Sequence, residues 1–291
     1  MARSQGRIPK WLDTNEYPFT VLEFSTDSGF MSYVDEGAGE PIVFVHGTPV
    51  WSFLYRDLIK NFSKSHRCIA MDHIGFGLSD KPSPNNLNPE VHAKNLNALI
   101  RDLDLNDITL VVHDFGGPIG LGALLNEPER VKRLVILNTW CWETQSEKTA
   151  RQVDRAVNSW LGRFLYLRLN FSVRVLLKKA FTDKRVLTSE LHQQYIGPFP
   201  TASSRRGLLQ IAKSLVGSSK WYDSLHDKLI VFQDHPVQII WGMKDEFISP
   251  RYLETWKGIY PKAEVTELES GHFIQEESTS EVIQAMSKFI D

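Results

Sequence analysis

A chain of 291 residues, 42% hydrophobic and 23% charged, has the apolar content for one large α/β domain or two small ones, and excludes disorder, collagen and coiled coil. Its 33 Lys/Arg against 35 Asp/Glu leave a net charge of −2, without the basic excess of a nucleic-acid binder. Two cysteines, Cys68 and Cys141, are too few for a disulfide framework, so the chain reads as reduced and cytoplasmic. Residues 1–10 are basic, but no signal-like apolar run follows them. Nor does any stretch reach the roughly 18 apolar residues of a membrane span.

In chain order, 30–36 has strand character and ends in Gly37-Ala38-Gly39, and 41–46 is a short apolar run typical of a strand buried on both faces. Helical spacing over 53–62 puts Phe53, Leu54, Leu58, Ile59 and Phe62 near one face. Residues 68–72 form the next strand. A helix over 89–103 opens with Asn88 as cap and Pro89 at its first position. Then come strand 108–113, a small-residue helix over 117–126, and strand 131–137.

This rhythm implies an α/β fold, with a mostly parallel central sheet and helices on both faces. It stops after Leu137, gives way to helical, aromatic, basic sequence up to about Phe232, and resumes with strand 237–241, helix 250–258, strand 263–268 and a last helix over 278–290. Between positions 141 and 226 there are 14 Lys/Arg and 6 Asp/Glu, a net +8, so the rest of the chain carries −10. The expected organisation is a core of 1–139 and 230–291 with a helical cap of 140–229 inserted in it.

Open parallel sheets bind ligands at the carboxyl ends of their strands. The residues just past those ends include His46-Gly47-Thr48, Asp114-Phe115-Gly116-Gly117, Asn138-Thr139-Trp140, Asp245 and His272. Val112-His113-Asp114-Phe115-Gly116-Gly117 runs a strand straight into a helix, the nucleophile-elbow arrangement, with Asp in the central place. Alone, Asp114 would also suit a helix N-cap, Asp245 a cap near Pro250, and His272 a satisfied core histidine. All three together, after separate strands and in the order nucleophile, acid, histidine, point to one site. Backbone N–H groups after Gly47 and at Phe115 would form an oxyanion hole. No phosphate loop and no paired zinc-ligand spacing occurs, so neither a cofactor nor a metal is expected.

From about Trp11 to Ile290 the chain resembles α/β-hydrolases of the haloalkane dehalogenase and epoxide hydrolase group. The resemblance rests on His46-Gly47-Thr48-Pro49-Val50-Trp51, Asp72-His73-Ile74-Gly75-Phe76-Gly77, the Asp114 elbow, Tyr195-Ile196-Gly197-Pro198-Phe199-Pro200, Gly242-Met243-Lys244-Asp245 and Gly271-His272-Phe273. The Pro198-Phe199-Pro200 element and the stretch from Asn138 to Trp142 favour the dehalogenase branch. The resemblance implies an Asp114 nucleophile, an alkyl-enzyme ester, water activated by His272, and Asp245 orienting the imidazole. An alternative acid position of the family is Asn138 here, which strengthens Asp245.

The leaving-group site departs from the family pattern. A Trp usually follows the nucleophile and an Asn usually stands in the His-Gly loop; Phe115 and Thr48 occupy those places. Trp140 is the first candidate for a substitute donor, Trp142 a second, and Tyr166, Tyr195 and Tyr222 are candidates for the acid that epoxide opening needs. The expected reaction is haloalkane hydrolysis. Epoxide or β-lactone cleavage by the same triad, or a weakly active ligand-binding homologue, are alternatives. The expected partner is a small apolar substrate, and the chain a monomer or small homo-oligomer. The basic insert suits a solvated outer face or, with its aromatics, attraction of anionic substrates or a lipid surface.

Overall fold

The computed structural model describes residues 4–82 and 87–290. Residues 1–3 of the basic N-terminal stretch, 83–86 and 291 lie outside the described residues. Among the described residues nine strands form one sheet: β1 (Ser4–Gln5), β2 (Leu22–Thr26), β3 (Gly29–Glu36), β4 (Pro41–Val45), β5 (Arg67–Met71), β6 (Ile108–Asp114), β7 (Val131–Thr139), β8 (Val237–Gly242) and β9 (Glu264–Leu268). Their order is β1-β2-β3-β5-β4-β6-β7-β8-β9. From β5 to β9 every pairing is parallel. The sheet is thus mostly parallel, as expected, with an antiparallel edge at which β1, β2 and β3 pair in turn and β3 pairs antiparallel with β5. For β2 and β3 the reason is local: Asp27 and Ser28 close a tight hairpin between them, with no room for a crossover helix.

The helices are α1 (Arg56–Phe62), α2 (Pro89–Asp102), α3 (Gly116–Leu124), α4 (Lys148–Asn158), α5 (Trp160–Leu169), α6 (Leu177–Ala180), α7 (Ser189–Ile196), α8 (Arg206–Gly217), α9 (Ser219–His226), α10 (Arg251–Ile259), α11 (Ile274–Glu277) and α12 (Thr279–Ile290). Every residue of β4 and β6 is buried, as continuous apolar runs require when helices cover both faces. Asn88 caps α2 by accepting from Val91 N at 3.0 Å, with Pro89 in the first turn. Helices α4 to α9 all lie between β7 and β8 in the chain. No helix among the described residues is long and apolar enough to cross a membrane.

One seam fastens the insert to the sheet. Arg56 on α1 and Glu276 on α11 form a buried two-point ion pair, at 2.5 and 2.9 Å. The Tyr195 hydroxyl on α7 donates to the same Glu276 carboxylate. Nearby, Trp51 Nε1 donates to Gln194 O at 3.1 Å. The tyrosine-to-proline motif that ends α7 is thus a clamp across the seam.

Candidate active site

The site is built where β4, β6 and β8 end. Asp114 closes β6 with φ of 51°, a left-handed conformation that non-glycine residues rarely adopt. The strand then turns directly into α3, and the turn works only because its neighbours are small. A Cβ on Gly47 would lie 2.3 Å from Asp114 Oδ2, and one on Gly116 would lie 2.1 Å from Val45 O. Asp114 does not cap α3 through its side chain. Its Oδ2 accepts from Thr48 N at 2.7 Å, with a further bond from the Phe115 backbone.

His272 lies on the loop after β9. Its Nε2 is 3.9 Å from Asp114 Oδ1, and its Nδ1 is 2.7 Å from Asp245 Oδ2. Asp245 divides its oxygens. Oδ1 accepts from Phe247 N and Ile248 N at 2.7 and 3.0 Å, a turn cap, while Oδ2 takes both His272 and, at 2.9 Å, Asn138 Nδ2. All three side chains are buried.

Backbone N–H donors face the Asp114 carboxyl. Burial outweighs them and raises it to about 6, although the His272 charge and the Thr48 and Phe115 N–H groups pull it down. For His272 burial acts downward, but the Asp245 charge and hydrogen bond, with Asp114, hold the imidazole above its ordinary value. His46 serves the framework instead. Its Nε2 accepts from His73 N at 3.0 Å and its Nδ1 donates to Gly47 O, and burial lowers it to about 3, so it stays neutral.

The candidate leaving-group residues separate clearly. Trp140 packs edge-on against Phe115, with centroids 4.9 Å apart. The Trp140 indole nitrogen and the Thr48 hydroxyl are both buried and without a hydrogen-bond partner among the described residues. Trp142 lies elsewhere, stacked on Tyr252 and against Trp256 of α10. The tyrosine hydroxyls are already engaged: Tyr195 with Glu276, Tyr222 with Ser214 O at 2.9 Å, and Tyr166 with Ser172.

Two supports of the His272 loop were not foreseen. His113, one residue before Asp114, donates from Nε2 to His272 O at 2.8 Å, with the rings 4.5 Å apart. Glu277 accepts from Gly271 N at 3.0 Å and from Thr182 N and Asp183 N, while His272 N donates to Ala180 O at 3.0 Å. His113 carries a weak signal, being a buried polar residue in an otherwise apolar strand. Glu277 carries none, because two of its three partners are 94 and 95 residues away in the chain.

Residues 40–279 match the family model described as alpha/beta hydrolase fold. The chain belongs to the α/β-hydrolase family, in its haloalkane dehalogenase-like group. It is 34% identical to cis-3-alkyl-4-alkyloxetan-2-one decarboxylase of Shewanella oneidensis, over 94% of this chain and 89% of that protein. It is 32% identical to haloalkane dehalogenase 2 of Mycobacterium bovis, covering 94% and 96%. Its fold is that of a variant of the haloalkane dehalogenase DatA from Agrobacterium tumefaciens, with a TM-score of 0.82 at 23% identity, covering 92% and 95%.

Proposed function

We propose that this hydrolase opens small apolar haloalkanes through a covalent ester on Asp114, beneath a cap formed by residues 140–229. The observation that carries the reading is the Asp114–His272–Asp245 arrangement, with Asp114 Oδ1 facing His272 and Oδ2 held by the Thr48 N–H. Ionised Asp114 attacks the halogen-bearing carbon through Oδ1. The carbon–halogen bond breaks, and the halide leaves with its electron pair. His272 Nε2 then takes a proton from water as the water oxygen adds to the ester carbonyl. The oxyanion forms on Oδ2, against Thr48 N and Phe115 N. Collapse expels the alcohol, which receives the proton from His272, and leaves Asp114 as the acid, which releases the water's second proton to solvent and returns to the carboxylate. Asp245 holds the imidazole tautomer and balances its charge. The sequence balances with water alone.

The Thr48 hydroxyl and Trp140 indole are the proposed donors to the leaving group, since both are buried and unpaired. Phe115 offers only a ring edge. A missing charge-assisted bond of about 1.5–3 kcal/mol lowers the rate roughly ten- to a hundred-fold. That deficit favours a second reading, opening of a β-lactone, whose leaving oxygen stays tethered and suits a hydroxyl donor. The oxetanone decarboxylase relative supports it. Epoxide opening has less support, because the three candidate tyrosines already have partners.

The test is a panel of haloalkanes, epoxides and β-lactones, with wild type and Asp114→Ala. Halide release should fall by about four orders of magnitude in the variant. Halide release that persists in the variant overturns the nucleophile assignment. Turnover of lactones alone, lost in Asp114→Ala, establishes the second reading. No turnover and no covalent adduct with any of the three classes leaves a ligand-binding homologue.

A further inference from the structure

The insert carries a surface that the proposed chemistry does not use. Between positions 148 and 180 there are eight Lys/Arg and one Asp, a net +7 within 33 residues. On α5, Trp160 is 79% exposed, Leu161 49% and Phe164 47%. The i, i+4 spacing sets Trp160, Phe164 and Arg168 in one row along the helix, with Arg163 beside it. Ser159 fixes the start of this row by capping α5 through Gly162 N at 2.9 Å. Among the described residues, no acidic side chain lies within ion-pair distance of Arg155, Arg163, Arg168, Arg174 or Lys178. Lys179 reaches Glu246 only at 4.0 Å. The cationic field continues past Arg163 into a cleft of about 360 Å³ between α5, α8 and the core, lined also by Lys81, Arg206 and Lys213.

An exposed tryptophan with flanking leucine and phenylalanine is costly against water alone and ordinary at a bilayer interface. Arginines beside them match anionic headgroups, at an equilibrium gain of about five-fold per cation near the surface. The charge of the whole molecule adds orientation. With +8 in the insert and −10 elsewhere, an anionic surface attracts this face and repels the other.

We propose that the α4–α5 face of the insert docks on anionic phospholipid bilayers, with Trp160, Leu161 and Phe164 entering the interface and the neighbouring arginines meeting the headgroups.

The 291-residue protein is sedimented with vesicles of equimolar phosphatidylglycerol and phosphatidylcholine, and with pure phosphatidylcholine vesicles. Binding to the anionic vesicles is expected, falling steeply with salt, and little to the neutral ones. Arg163→Gln/Arg168→Gln should weaken it roughly twenty-five-fold. Trp160→Ser/Phe164→Ser should abolish most of the remainder while solution turnover stays unchanged, because these exposed side chains lie outside the proposed catalytic machinery. The Trp160→Phe protein should lose a blue-shifted emission component that vesicles induce in wild type. Equal binding to neutral vesicles, or no binding to anionic ones, overturns the proposal. So does anionic binding that both double variants keep. A vesicle-free oligomer lost in Arg163→Gln/Arg168→Gln would assign the face to a second copy of the chain and also overturn it.

Discussion

The loops that bring Asp114 and His272 together are held in different ways. The Asp114 elbow is local: a left-handed residue between a buried strand and a helix, with Gly47 and Gly116 making room and Thr48 N fixing the carboxylate. The His272 loop depends on distant side chains, with His113 gripping its carbonyl, Glu277 tying it to residues 182 and 183, and the Arg56–Glu276–Tyr195 clamp beneath it. The proposed nucleophile is therefore positioned by backbone shape, and the proposed base by the joining of insert to core. Damage to the first region should appear in turnover, and damage to the second in stability as well.

Four changes test that contrast. Glu276→Gln leaves Arg56 buried without its carboxylate partner and should cost about 3–5 kcal/mol of stability, read by denaturant unfolding. A cost under about 1 kcal/mol would show that the clamp does not hold the seam. Gly47→Ala places a methyl group against Asp114 and should lower kcat/KM about a hundred-fold, a loss larger than any fall in Tm. If Tm falls and turnover does not, the elbow is not the backbone-set region described above. His113→Leu removes the donor to His272 O and should slow ester hydrolysis about ten-fold with little effect on ester formation, separable in single-turnover experiments. Equal slowing of both steps would reject a positioning role.

The mildest perturbation is pH. Asp114 must be ionised to attack, so ester formation should fall about ten-fold per pH unit below its value of about 6. His272 must be neutral to accept a proton, and its pKa is raised chiefly by Asp245 against the opposing effect of burial. Lowering pH from the alkaline side should slow hydrolysis first, so ester accumulates before its formation fails. Rapid-quench time courses across pH check the order, and ester formation failing first would contradict it.

The elbow was legible in the sequence because its parts are contiguous: a run of buried apolar residues, one Asp and two glycines. Asp245 and His272 were legible because each follows a strand of the same parallel sheet. β2 was not, since Leu22–Thr26 alternates weakly and has no fully buried residue. The antiparallel edge depends on β3 choosing β5 rather than its chain neighbour β4, which no local pattern encodes. The Arg56–Glu276 pair spans 220 residues, so neither partner announces the other. The raised value of Asp114 was not legible either, because desolvation is a property of the assembled fold and not of the motif.

The central claim is that Asp114 carries a covalent ester which His272 helps water to release. The most direct measurement is the intact mass, with peptide mapping, of the His272→Ala protein after exposure to haloalkanes and β-lactones. A stable mass increase equal to the substrate-derived group, located on the peptide containing Asp114 and absent from Asp114→Ala/His272→Ala, is the predicted result. No adduct with any substrate that the wild type turns over, or an adduct on another residue, would contradict it.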